Sequence, residues 1–138
     1  MSRPKQELQA ALDKTRRATQ AASRLQGTYI HSYNVGRGKL TTTRRELDSL
    51  AGLVDEAHDA VIAARSSEYI DDDVDNAADK ADDLLAGQLR SLKELRAELK
   101  GTYTENTDHG QVTSMLDIQQ SRLKRIESHL NKAVQKAD

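Results

Sequence analysis

The stretch VTSMLDIQQSRLKRIESHLNKAVQKA, residues 112–137, decides the fold class of this chain. Its apolar residues and one glutamine recur at alternating intervals of four and three positions, which is the spacing of one face of an α-helix. We call such a line of residues a seam. This seam consists of Val112, Leu116, Gln119, Leu123, Ile126, Leu130, Ala133 and Ala137.

Three earlier stretches carry the same spacing, and we call them the first, second and third seams. The first consists of Leu8, Ala11, Thr15, Ala18, Ala22, Leu25 and Tyr29. The second consists of Leu40, Thr43, Leu47, Leu50, Val54, Ala57, Val61 and Ala64. The third consists of Val74, Ala78, Ala81, Leu85, Leu89, Leu92, Leu95 and Leu99, and Leu84 widens it. The four seams predict four helices, at about residues 4–33, 43–66, 71–100 and 109–136.

Turn signals separate the predicted helices. Gly36 and Gly38 favour a turn after the first helix, and residues 101–110 have the composition of a loop. Thr43 and Glu46 have the spacing of a capping box, which predicts that the second helix begins near Thr43. Short connections between helices of similar length favour antiparallel neighbours. We therefore predict an all-α protein, with residues 1–138 forming a single antiparallel four-helix bundle or a coiled coil of helical hairpins.

Small residues are concentrated in the first seam, so that helix buries little apolar area. A second chain that completes the core is the main alternative, and it would make the protein a homodimer. The sequence contains no Cys, which excludes disulfides, thiolate metal sites and thiol catalysis. Its longest apolar run is five residues, 60–64, so we expect no membrane span and a cytoplasmic location.

Charge is distributed unevenly, although the net charge is only -1. Residues 1–39 hold eight Lys or Arg and two acids, whereas residues 67–83 hold one Lys and eight acids. The simplest interpretation is that these stretches face one another or cap helix ends. Alternatively, each meets a partner of opposite charge, and for nucleic acid the basic contacts would be Lys14, Arg16, Arg17 and Arg24.

The acidic stretch DDDVDNAADKAD, residues 71–82, resembles the calcium-binding loop of the EF-hand family. Acids occupy loop positions one, three, five, nine and twelve, so the resemblance implies a calcium site. Asn76 replaces the turn glycine and Asp82 replaces the long bidentate glutamate. The third seam also runs through the stretch, so we favour an acidic helix start and predict no metal or other cofactor.

Arg24 and His31 are separated by six residues, which is similar to the R-x4-6-H motif of the HEPN-type helical ribonucleases. The resemblance implies phosphate positioning by Arg24 and general acid-base chemistry at His31. Asp55 and His58 have the spacing of half a carboxylate-bridged metal site. No second Asp/Glu-x-x-His occurs, so we interpret them as surface residues, and His109 and His129 are isolated.

The sequence favours a non-enzymatic protein that works by binding other protein chains, as a scaffold, adaptor, inhibitor or assembly factor. Nucleic-acid binding by the basic first helix is the first alternative, and a HEPN-like ribonuclease is the second. Met115 and Ile118 share a helical flank outside the seam, where they are either partner contacts or a widening of the core. The predicted partner contacts are Met115, Ile118, Asp71, Asp72, Asp73, Asp75 and Asp79.

Overall fold

The structure is a computed structural model that describes residues 2–35, 40–68, 70–99 and 109–137. Within those ranges all regular structure is helical, and each helix ends within two residues of the predicted limits. The all-α prediction is therefore confirmed. The helices are α1 (Arg3–Val35), α2 (Thr41–Arg65), α3 (Asp72–Glu98) and α4 (His109–Lys136).

The four helices pack as an antiparallel bundle. α1 contacts α2 and α4, and α3 contacts the same two helices from the opposite side. The direction follows from the paired side chains: Thr19 of α1 bonds Glu127 of α4, whereas Gln26, one seven-residue repeat later in α1, bonds Asp117, ten residues earlier in α4. This order matches the predicted bundle, in which each helix buries one seam against its neighbours.

The predicted first, second and fourth seams are buried throughout. More than a third of the buried apolar side chains in the described residues are alanines, so much of the core is built from small side chains. Thr15 is fully buried in the first seam, and its hydroxyl donates a hydrogen bond to the Ala11 carbonyl at 2.8 Å. That intrahelical bond lets a hydroxyl occupy a core position without losing hydrogen bonding.

The third seam differs from the prediction at one position. Gln88 is fully buried, whereas Leu89 is only partly buried beside the core. Position 88 continues the spacing of four and three that the other seams follow, and position 89 departs from it. The Gln88 amide is accommodated there because its NH2 group donates to the backbone carbonyl of Gln119 at 3.1 Å.

α2 begins two residues before the predicted Thr43, and the predicted capping box is wrong. The helix begins at Thr41 after Leu40, which occupies the N-cap without a side-chain hydrogen bond. Thr43 is fully buried, and its hydroxyl has no hydrogen-bond partner among the described residues. Burial in the second seam therefore outweighs capping by Thr43. The predicted turn at Gly36 and Gly38 and most of the predicted loop, residues 101–108, lie outside the described residues.

Most of the exposed residues that the structure describes are polar, in line with a mean hydropathy of -0.77. Among the helices that the structure describes, none has both the length and the apolar character needed to cross a membrane.

Candidate protein-binding groove

A groove of about 500 Å³ runs between α3 and α4 and contains both apolar residues predicted to contact a partner. Met115 is partly buried and packs against the core, whereas Ile118 is 42% exposed. Leu84 of α3 lies on the opposite wall and is also partly buried. Met115 thus widens the core, as one interpretation predicted, and Ile118 belongs to the surface.

Charged side chains line the same groove, with more cations than anions. Arg90 of α3 and Arg122 and Arg125 of α4 face Asp83 and Glu94 of α3. The sequence prediction missed these arginines because they come from two helices that only the fold brings together. A signal was present nonetheless, since Arg122 and Arg125 follow Met115 and Ile118 by seven residues, or two helical turns.

Gly87 lines the groove on the α3 side. A β-carbon at this position would lie 3.6 Å from the nearest guanidinium nitrogen of Arg90, so the Arg90 side chain extends across the glycine. The missing side chain leaves room for that guanidinium beside the helix backbone. Groove depth at this point therefore depends on residue 87.

The acidic stretch begins α3, as predicted from its charge. Asp71 is the N-cap residue, and Asp72, Asp73 and Asp75 lie in the first turn, where carboxylates interact favourably with the helix dipole. Residues 72–82 are helical, so these carboxylates do not form the wrapped loop that the EF-hand resemblance implied. The described residues contain no group of three or more His, Cys, Asp or Glu arranged to hold a metal ion.

Two of the predicted partner-binding aspartates are paired within the chain. The Arg65 guanidinium, at the end of α2, lies 2.9 Å from Asp75, 3.0 Å from Asp79 and 2.8 Å from Asp82. The hydrogen bond to Asp75 raises the pKa of Arg65 above its ordinary value, and burial opposes that effect. Asp71, Asp72 and Asp73 are exposed.

His58 joins this cluster, which corrects its interpretation as a surface residue. Its Nε2 lies 2.7 Å from Asp82 Oδ1, and both side chains are only about one-fifth exposed. Asp55, three residues earlier, is exposed and does not take part. Asp55 and His58 therefore do not form half of a metal site. His58 instead helps to join α2 to α3.

Two cations of the basic stretch pair with carboxylates of other helices, and within the described residues none pairs with the acidic stretch. Lys14 lies 2.9 Å from Glu56 of α2, and Arg16 lies 3.8 Å from Glu127 of α4. Arg17 and Arg24 are exposed on α1. Two of the four predicted nucleic-acid contacts are thus paired with neighbouring helices at the surface, and binding of nucleic acid by this helix stays a prediction.

The C-terminal end of α1 makes an aromatic contact that the sequence did not indicate. Arg24 and His31 are both exposed, and the ribonuclease hypothesis attached to them stays a prediction. Nearby, Tyr33 stacks on His109 with ring centroids 3.6 Å apart, and the Tyr29 hydroxyl lies 3.2 Å from His109 Nδ1. His109, which looks isolated in the sequence, therefore joins the start of α4 to the end of α1.

Comparison with known proteins adds no assignment: no protein-family model, no curated protein and no solved structure matches this chain. The geometry of the α3–α4 groove is therefore the basis for inferring function.

Proposed function

We propose that this protein works by binding another protein chain through the α3–α4 groove, as a scaffold, adaptor, inhibitor or assembly factor. The observation that carries the proposal is the exposure of Ile118 beside the partly buried side chains of Met115 and Leu84. Covering such apolar surface stabilises a complex by about 25 cal/mol per Å², before the costs of association are subtracted.

The chemistry of the groove favours a protein over a small ligand. Methionine and arginine are both enriched at protein interfaces, where an apolar centre is surrounded by polar groups. Here Met115 and Ile118 form the centre, and Arg90, Arg122 and Arg125 form much of the surround. The groove also lies on two long helices, so its side chains are held on a rigid surface.

We propose that this binding takes place in the cytoplasm and that the bundle itself catalyses no reaction. The seven-residue repeat of buried positions supports packing of the helices as a coiled coil. In such packing the seam residues hold the helices together, which leaves the outward-facing residues available to contact a partner.

Photo-cross-linking tests the proposal directly. A benzoylphenylalanine residue is introduced at Ile118, and a matched variant carries it at Ile62, which is 44% exposed on α2 and outside the groove. We expect irradiation to join the Ile118 variant to another protein chain, with the cross-linked peptide identified by mass spectrometry. The Ile62 variant should not form that product.

A second measurement links the product to the groove. Ile118→Asp should abolish recovery of the cross-linked chain by affinity purification, whereas Ile62→Asp should retain it. Both variants should fold because both substitutions lie at exposed positions, and circular dichroism checks this. Equal recovery with the two variants, or equal cross-linking from both positions, would overturn the proposal.

A further inference from the structure

We propose that the chain bound at this groove is a second copy of the same protein, with the two α3 helices packed antiparallel across a two-fold axis. This inference rests on the proposed function and specifies the partner. It is carried by the order of charges along the outward face of α3, which is complementary to itself when the helix is reversed.

The outward face of α3 changes sign along its length. Its first half exposes Asp72, Asp73, Asp79 and Asp83, with Lys80 as the one cation. The exposed charged residues of its second half are Arg90, Lys93, Glu94 and Arg96, of which Arg96 pairs with Asp48 of α2. Ala86 and Gly87 separate the halves and are both partly buried. A reversed copy of this face therefore presents cations where the original presents anions.

The register of this pairing follows from helix geometry. Two antiparallel helices related by an axis between residues 86 and 87 place positions whose numbers add to about 173 opposite each other. Asp83 then faces Arg90 of the second copy. Away from the centre, residues on the same flank of the helix meet, which shifts the pairing by one position: Lys80 faces Glu94, and Asp79 faces Lys93. Each pair occurs twice because the interface is isologous, and each one joins opposite charges.

The central pair is available for this contact. Asp83 and Arg90 are both exposed, and within the described part of the chain neither takes part in an ion pair. Both side chains also line the α3–α4 groove. Asp79 already contacts Arg65, so the second copy would add Lys93 to an existing pair.

The middle of the interface is suited to close approach. Gly87 has no side chain and Ala86 has only a methyl group, so the two helix axes can approach to about 8 Å, the lower limit for packed helices, once the Arg90 guanidinium turns from Gly87 towards Asp83 of the second copy. Ile118 and Leu84 line the adjoining groove, so at that separation their side chains would flank the second copy of α3. Apolar contact then supplies affinity, and the charge pairs determine orientation.

The test combines mass measurement with an exchange of charges. Light scattering on the unmodified protein should give a mass rising towards twice 15.3 kDa as concentration increases. Arg90→Asp and Asp83→Arg each create like-charge pairs at both symmetric contacts, so each should raise the dissociation constant of the dimer at least about tenfold. Both positions are exposed, and circular dichroism checks the fold of each variant.

An equimolar mixture of these two variants should dimerise again. The arginine introduced at position 83 of one chain then faces the aspartate introduced at position 90 of the other, and the reciprocal pair is native.

The matched control is Arg17→Asp, an exposed charge reversal on α1 that should leave dimerisation unchanged. A mass of 15.3 kDa at every concentration, or no recovery in the mixture, would overturn the inference. A monomer whose Ile118 variant cross-links to a different protein would overturn it while supporting the proposed function.

Discussion

Gln88 and Gln119 bond to each other inside the apolar core. The Gln88 amide donates to the backbone carbonyl of Gln119 at 3.1 Å and also to its side-chain oxygen, while the Gln119 amide donates to Ser91 at 2.8 Å. Sliding α3 along α4 by one turn would separate these groups and leave them buried without partners, at a cost of about 1–3 kcal/mol each. The pair therefore favours one alignment of the two helices.

A double replacement of this pair should cost less stability than either single replacement. Gln88→Leu or Gln119→Leu alone should lower the free energy of unfolding by about 1–3 kcal/mol, because the remaining buried amide loses one of its hydrogen bonds. The double variant should recover most of that loss, since it also removes the Gln88 oxygen that is buried without a hydrogen bond among the described residues. Urea denaturation measures all four proteins, and additive losses would contradict the prediction.

Asp82 should contribute to stability because it joins two partners. Its carboxylate oxygens accept from His58 at 2.7 Å and from Arg65 at 2.8 Å. Asp82→Asn should lower the free energy of unfolding by about 1–2 kcal/mol, since both charge-assisted hydrogen bonds are weakened. Asp59→Asn, at an exposed position on α2, is the control and should have little effect. Equal stability of the two variants would show that the cluster contributes nothing.

Acid should destabilise the protein partly through His129. Burial lowers the pKa of His129 below its ordinary value of 6.5, and the nearby cations Lys132, Lys80 and Arg125 lower it further. The unfolded chain therefore binds this proton more readily, and stability decreases as pH falls from 6.5 through the folded-state pKa.

Replacing His129 by glutamine removes this titration. His129→Gln should lose less stability than the unmodified protein between about pH 7 and pH 5, and urea denaturation at the two pH values measures the difference. Carboxylate titrations affect both proteins alike, so they do not enter the comparison. An identical loss in both proteins would show that His129 is not responsible.

Gly27 and Gly52 should be sites of stabilising substitution. Both lie inside helices, and a β-carbon at either position would meet nothing within 4 Å. Alanine restricts the unfolded chain and favours helix, so each replacement should add about 0.5–1 kcal/mol to stability. Thermal unfolding should show Tm raised by roughly 2–5 °C for each variant. A lower Tm for both would contradict this account.

The bundle could be predicted because its seams repeat without interruption over long helices. Leucine and alanine at intervals of three and four indicated which face of each helix is buried. The prediction failed at Gln88, where a leucine next in sequence looked the better core residue. It also failed at Thr43, where a capping pattern coincided with a seam position. In both cases the packing of a second helix decides the outcome, and that helix is distant in sequence.

The candidate site could be predicted only in part. Ile118 was recognised because a large apolar residue outside a seam is visible in the sequence itself. Arg90 and Arg122 were not recognised, because a groove between two helices depends on which faces they present to each other. Asp75 was assigned to a partner, whereas Arg65 binds it within the chain. The charges along one helix do not show which of them pair with a neighbouring helix of the same chain.

The abundance of alanine in the core has a consequence for behaviour across temperature. An alanine side chain covers less apolar area than a leucine, so unfolding hydrates less hydrocarbon for each residue released. We therefore expect a heat-capacity change on unfolding below the usual value of about 12–15 cal/mol/K per residue. The stability curve is then shallow, and warming or cooling the bundle around its optimum changes its folding free energy only slowly.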